Sequence, residues 1–424
     1  MLEEILDIRN VQYACKQVVS NKGAGGVDGM QTDELRDFLN VHWQTLRKDI
    51  LEGIYKPSAV KKVEIPKPQG GTRMLGIPTV RDRLLQQAIS QWMSGKWESD
   101  FSEHSYGFRP KKNAHQAVHQ AQVYLNEGFS YVIELDLEKF FDKVNHDKLM
   151  SLLSKKITDK RTLELIRSYL TSGIMEGGII SQRTEGAPQG SPLSPLLSNI
   201  ILHELDKELH ERGLRFVRYA DDCSIYVRSK KSADRVMSSI TKFIEEQLKL
   251  KVNKTKSKVS RPNQSTLLGF SFYKRGKEWL MRIASKSIER MKDKIRDRLK
   301  RKDPKPLEIK LREMRSVIIG WINYFIIAEA KSIMIKLDEL LRTRARIIKW
   351  HQWKCPKTRI RNLIKLGIHP NKAYEWGNSS KGACRVAHSP IMTRAINNQY
   401  LSKSGLVSYQ SYYHARKESQ QKLF

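Results

Sequence analysis

The segment FVRYADDCSIYV, residues 216–227, sets two adjacent aspartates inside a run of aromatic and β-branched residues that otherwise reads as strand. Aspartate is depleted from strands and neighbouring like charges repel, so local propensity alone does not place the pair there. A turn at Asp221 and Asp222, joining a strand over 216–219 to one over 223–227, removes the propensity objection, because Asp accepts turn geometry. The repulsion is left over. Bound divalent cations such as Mg²⁺ would neutralise it, since hard ions take carboxylate oxygens and are often the largest charges in a site. An exposed Asp-Asp hairpin satisfies the same pattern, and the rest of the chain has to decide.

At 424 residues the chain exceeds one typical core, which predicts two or more domains. Its formal charge of +32 points to a polyanionic partner, most simply nucleic acid. A membrane surface is the competing polyanion, but no run approaches 18 consecutive apolar residues and the acidic start MLEEILD does not resemble a signal peptide. The expectation is a cytoplasmic protein with no membrane partner. Cys15, Cys223, Cys355 and Cys384 form no CxxC pair, which disfavours a structural zinc site and a disulfide framework. Residues 341–424 hold 17 Lys and Arg against two Asp and Glu, whereas residues 1–280 hold 44 against 34. So nearly acid-free a stretch favours a nucleic-acid face over an ordinary solvated surface.

Along the chain, the first 55 residues read as short helices around NKGAGGVDGM, whose glycines make a flexible, backbone-exposed loop. It lacks the spacing of a P-loop or GxGxxG cradle. Next, VKKVEIPKPQGGTRMLGIPT runs as an alternating strand through a Pro-Gly turn and into a helix near residue 79, with Lys67 and Arg73 flanking the turn. YVIELDLEKFFD, 131–142, begins as a buried strand and ends in acids and paired phenylalanines, with Asp136 at the strand end. APQGSPLSPLLSNIILHELDKELHERG carries Leu193, Leu196, Leu197, Ile200, Ile201, Leu205 and Leu209 at helical spacing. Ser191 as N-cap and Pro192 as first helical residue would leave Gln189 and Gly190 just outside the helix start. From residue 286 three amphipathic patterns read as a helical bundle.

Asp136 at a strand end and Asp221 with Asp222 on a hairpin can meet at one sheet edge despite their separation in sequence. Two cations about 4 Å apart on such carboxylates lower the pKa of an attacking hydroxyl and stabilise a leaving oxygen in phosphoryl transfer. With the charge balance this suggests nucleotidyl transfer or phosphodiester hydrolysis. Three aspartates do not separate the two.

In order and spacing, YADD at 219–222, LDLEKFFD at 135–142 and PQGSPLSPLLSNI at 188–200 resemble the palm motifs of reverse transcriptases. With NKGAGGVDG, EIPKPQGGTRMLGIPT, SYGFRPKKNAHQAV, RYADDC and GWINYF, the chain resembles the bacterial group II intron-encoded reverse transcriptases and maturases over nearly its whole length. Ser191 stands where the family more often has a second glycine. The resemblance implies an α+β fold with right-hand polymerase architecture: an N-terminal extension with a template lid over 1–60, fingers and an antiparallel palm sheet over 61–282, a helical thumb over 283–350, and a small basic DNA-binding domain over 351–424. The absence of CxxC pairs and an HNH cluster fits the class C type, without an endonuclease.

Roles follow residue by residue from the resemblance. Asp136 and Asp221 would ligate two Mg²⁺ ions, with Asp222 in support and the Leu137 carbonyl as a backbone ligand. Lys67 and Arg73 would hold the incoming triphosphate as a point charge and a fork. Gln189 would contact the nucleotide near its sugar, and Phe141 would exclude a 2′-hydroxyl, the group that separates RNA from DNA units. Phe140 would be core. Lys256 matches a lysine proposed to protonate the leaving pyrophosphate. Asn21, Lys22, Gly23, Gly25 and Gly26 would present the lid to template RNA. The implied activity is an RNA-directed DNA polymerase that also binds intron RNA to assist splicing and retrohoming. Its partners would be group II intron RNA, an RNA template with DNA primer, dNTPs and target DNA, with no oligomeric state specified. A host-domesticated reverse transcriptase and a non-catalytic splicing cofactor are the alternatives; intact acids and Phe141 count against the second.

Overall fold

Three strands rich in Ile, Val, Phe and Tyr carry the centre of the fold. A computed structural model, which describes residues 1–66 and 70–421, forms two compact units, Met1–Ser265 and Thr266–Phe424. In the first unit a four-stranded antiparallel sheet runs Arg215–Tyr219, Asp222–Val227, Tyr131–Leu135, Lys258–Ser260. Phe216 pairs with Ile225, which pairs with Ile133, and all three side chains are fully buried. Their neighbours Val217, Arg218, Ser224 and Tyr226 are buried as well, so these central strands are covered on both faces.

Helices Ala114–Asn126, Ser194–Glu211 and Lys230–Glu246 pack on this sheet. Lys230–Glu246 shows why: Ala233, Val236, Ile240 and Ile244 form a buried stripe at spacings of three and four, and the Ser229 hydroxyl caps the first turn. Each of its larger aliphatic side chains contributes about 1.5–3 kcal/mol on burial. A second sheet, ordered Thr72–Ile77, Val60–Pro66, Ile174–Glu176, Ile179–Ser181, combines two antiparallel hairpins joined by a parallel pairing. The N-terminal helices Leu2–Ile5, Ile8–Ser20 and Leu35–Leu51 complete this unit. Helix Val80–Trp97 starts at the Thr79 cap, as its sequence predicts.

The helix after the PQGSP motif begins later than expected. It spans Ser194–Glu211 with Pro195 in its first turn, and Ser191 is no N-cap; its hydroxyl accepts from the Leu193 amide and donates to buried Gln86. The hydroxyl thus turns the chain two residues ahead of the helix and ties it to Gln86 at the same time.

The second unit opens with the hairpin Phe270–Arg275 and Glu278–Ile283, followed by helices Ser285–Arg298, Leu307–Phe325 and Lys331–Gln352. The hairpin falls within the unit Thr266–Phe424, with these helices. Helix Lys331–Gln352 runs through position 350 without a break. The last described helix, Tyr409–Gln421, packs on Leu307–Phe325 and Lys331–Gln352, and buried Asp338 accepts from the Ser408 hydroxyl and the Tyr409 and Gln410 amides. Trp350 and Trp353 are buried against each other. Cys15 and Cys223 are buried, Cys355 and Cys384 exposed, and all four are free thiols. No helix among the described residues is long and apolar enough to cross a membrane.

Candidate active site

Tyr219 pairs with Asp222, so the turn is Ala220–Asp221 and Asp222 already belongs to the returning strand. The acid pair thus straddles turn and strand instead of occupying the turn alone. Ala220 adopts the left-handed region at φ 56, an arrangement costing roughly 1 kcal/mol or more without glycine. The structure beneath supports it. Arg218, fully buried, donates to the Ala220 carbonyl at 3.0 Å and pairs with buried Asp206. Beside the turn, a Cβ on Gly107 would fall 2.3 Å from the Ala220 nitrogen, so only glycine fits there.

Leu135 pairs with Cys223 across the sheet, which brings the next residue, Asp136, alongside Asp222. The Asp136 backbone is held from the other side. Its amide donates to the Ser257 hydroxyl at 3.0 Å, and its carbonyl accepts from the Asn253 amide at 2.8 Å. Leu137, buried, bridges to Val252. Lys256 Nζ lies 3.5 Å from Asp136 Oδ2. Asp222 is exposed as a residue, yet its carboxyl is pushed up to about 6. Local desolvation is the largest cause, followed by the charges of Asp221, Asp136 and Glu134. Crowded acids of this kind are the donor set that a divalent cation relieves. As the side chains stand, no three His, Cys, Asp or Glu among the described residues form a ready-made ion cage. The fit is therefore one of donor chemistry and charge.

A cavity of about 490 Å³ gathers a second group: Asn21, Gly23, Arg83, Phe141, Gln189 and Gly190 are among its lining residues. Phe141 follows buried Phe140, its ring half-covered, and its carbonyl accepts from the Ala187 amide at 2.6 Å. The Gln189 carbonyl accepts from the Gly76 amide at 2.9 Å, tying this loop to strand Thr72–Ile77. The glycine-rich loop is anchored and not free as its composition suggests. Arg83 Nη2 donates to the Ala24 carbonyl at 2.5 Å, and a Cβ on Gly26 would lie 2.6 Å from Thr79 Cα. Gly25 and Gly26 are buried; Lys22 is exposed at φ 47.

The expected residues thus fall into an acid cluster of Asp136, Leu137, Asp221, Asp222 and Lys256, and a cavity group of Asn21, Gly23, Phe141 and Gln189. Lys67 lies outside the described residues, and of Arg73 only the backbone is described, paired with Ile65. Sequence reasoning missed Arg83, Arg218, Asp206, Asn199 and Gly107. A signal existed for two of these. Asn199 and Asp206 are polar residues seven apart within the buried stripe of Ser194–Glu211, where packing alone would place apolar side chains.

Residues 65–272 match the family model of reverse transcriptase (RNA-dependent DNA polymerase), and residues 288–367 match the group II intron maturase-specific domain. The chain is 34% identical over 314 residues to protein YkfC of Escherichia coli K12, covering 64% of this chain and 82% of that protein. It is also 34% identical over 213 residues to the group II intron-encoded protein LtrA of Lactococcus lactis, covering 50% of this chain but only 35% of LtrA. A putative COX1/OXI3 intron 2 protein of Saccharomyces cerevisiae is 33% identical over 216 residues, covering 50% of this chain and 25% of its own length. Fold and matched domain define an RNA-directed DNA polymerase, a class that uses divalent metal ions. Within it, the chain belongs to the group II intron reverse transcriptase and maturase family.

Proposed function

We propose that the chain synthesises cDNA from an RNA template by two-metal nucleotidyl transfer and also binds its group II intron RNA, assisting splicing and insertion into target DNA in the bacterial cytoplasm. The observation that carries the polymerase reading is the convergence of Asp136, Asp221 and Asp222, felt in the raised carboxyl of Asp222. Asp136 and Asp221, with the Leu137 carbonyl, hold the ions and Asp222 supports them. When bound, two Mg²⁺ ions supply charge neutralisation and a primer 3′-hydroxyl of lowered pKa. Phe141 closes the space beside C2′ of the incoming dNTP, Gln189 orients its sugar, and Lys67 and Arg73 hold its phosphates. Lys256, drawn to Asp136 at 3.5 Å, carries its proton to the pyrophosphate side. Asn21, Lys22, Gly23, Gly25 and Gly26 form a lid whose shape the Arg83 and Thr79 contacts maintain.

The four functional regions keep their proposed roles: lid over 1–60, fingers and palm over 61–282, thumb over 283–350, DNA-binding region over 351–424. The maturase-domain match and the 17-to-2 excess of basic residues after position 340 support intron RNA and DNA as partners. The deciding experiment is primer extension on an RNA template with Mg²⁺ and dNTPs. Asp221→Asn is expected to lose at least about 100-fold in cDNA synthesis while binding intron RNA nearly as before. Wild-type extension by that variant would sink the polymerase reading.

A further inference from the structure

Arg218 has five N–H donors in a fixed fork and is fully buried. Nε and Nη2 donate to the two carboxylate oxygens of Asp206 at 2.7 and 2.6 Å, and Nη1 donates to Asn199 Oδ1 and the Ala220 carbonyl, each at 3.0 Å. A buried ion pair is commonly no more stabilising than an apolar pair of the same volume, so filling the core does not explain this choice. An apolar pair cannot, however, donate to the carbonyl of a strained turn.

The same network reaches the turn from its side. Asn199 Nδ2 donates to the Gly107 carbonyl at 2.9 Å, and Gly107 is the residue whose missing side chain lets its backbone lie against Ala220. The Arg218 amide donates to the His104 carbonyl at 2.9 Å, while its carbonyl accepts from the Tyr106 amide at 2.8 Å. The acid-bearing turn is therefore held from below by a guanidinium and from the side by a glycine, with Asn199 bonded to both supports.

We propose that Arg218, Asp206 and Asn199 are positioning residues that hold the Ala220–Asp221 turn where Asp221 and Asp222 face Asp136, and so set cation affinity and turnover without touching substrate. This rests on reading those acids as the polymerase centre. Groups that orient metal ligands typically matter about 10–100-fold in affinity or activity.

The test uses the full chain and the paired replacement Arg218→Met with Asp206→Leu, which removes both charges together and roughly keeps the volume. Thermal unfolding, binding of structured intron RNA, Mn²⁺ affinity by electron paramagnetic resonance without nucleic acid, and kcat and KM for dNTP are all measured. The expected result is a midpoint and RNA affinity close to wild type, with Mn²⁺ affinity and kcat both down about 10–100-fold. KM for dNTP should hold, because the cavity bearing Phe141 and Gln189 is untouched. A double variant with wild-type Mn²⁺ affinity and kcat overturns the proposal. If that variant does not fold, Asn199→Ser decides: lowered Mn²⁺ affinity at an unchanged midpoint supports the proposal, and unchanged affinity overturns it. An inactive Asp221→Asn beside a fully active double variant defeats this inference alone, whereas an active Asp221→Asn defeats the polymerase reading itself.

Discussion

Lys256 Nζ stands 3.5 Å from Asp136 Oδ2, and both side chains reach solvent. An exposed pair of this kind contributes about 0–1 kcal/mol, so stability does not account for its placement beside the acids. If Lys256 delivers a proton to the leaving pyrophosphate, Lys256→Met should slow single-turnover dNTP incorporation by about 100-fold, the lower end of general-acid effects. Its thermal midpoint and RNA affinity should stay near wild type. Unslowed incorporation would leave the lysine as a counter-charge only.

Asp222 carries a pH signature. Its carboxyl is raised from the ordinary 3.8 to about 6, so between those values the folded chain holds more protons than the unfolded one. Stability must then fall as pH rises through that window, and the penalty is fully present above it. In metal-free protein, Asp222→Asn should raise the thermal midpoint at pH 7 and lose that advantage below about pH 4. Added Mg²⁺ should narrow the difference at pH 7, because it relieves the same repulsion in the wild type. A midpoint difference independent of pH would contradict the crowding described here.

Phe141 lines the same cavity as Gln189. Phe141→Val should reduce discrimination between dNTPs and rNTPs by 10-fold or more, since clashes of this size are worth about 1–3 kcal/mol. Competition between dCTP and CTP on one template measures it directly. An unchanged ratio would assign the gating to another residue.

Two glycines of the lid should respond differently to alanine. At Gly26 the added carbon meets Thr79 Cα at 2.6 Å, a backbone contact that cannot swing aside. At Gly29 nothing lies within 4 Å and only the φ of +75 is strained. Gly26→Ala should cost about 1–3 kcal/mol and lower processivity on RNA templates, whereas Gly29→Ala should cost about 1 kcal/mol and extend almost normally. Urea unfolding and product-length distributions check both; equal losses would refute the anchoring.

Much of the first unit was legible because its strands advertise themselves. FVRYADDCSIYV predicts both strands and the hairpin within a residue, since its aromatic and β-branched runs are continuous buried strand interrupted only at the acids. The lid misled, because glycine reads as freedom whether it permits motion or permits close packing; only the path of Thr79 separates the two. Ser191 misled for a similar reason, its capping signal being local and its partner Gln86 lying 105 residues away in sequence. The second unit's extent was hidden because a composition shift marks charge and not packing. The basic stretch after 340 crosses helix Lys331–Gln352 without a break.

Asp338 imposes an order on the birth of the molecule. Its three partners lie 70–72 residues further along the chain, at Ser408, Tyr409 and Gln410. At roughly 5–20 residues per second a ribosome needs about 4–14 s to deliver them, and until then a core carboxylate has no amides to satisfy it. The acid-bearing sheet, by contrast, is fully synthesised by Ser260. A nascent chain can therefore complete its acid-bearing half while the helical half still waits for its closing helix.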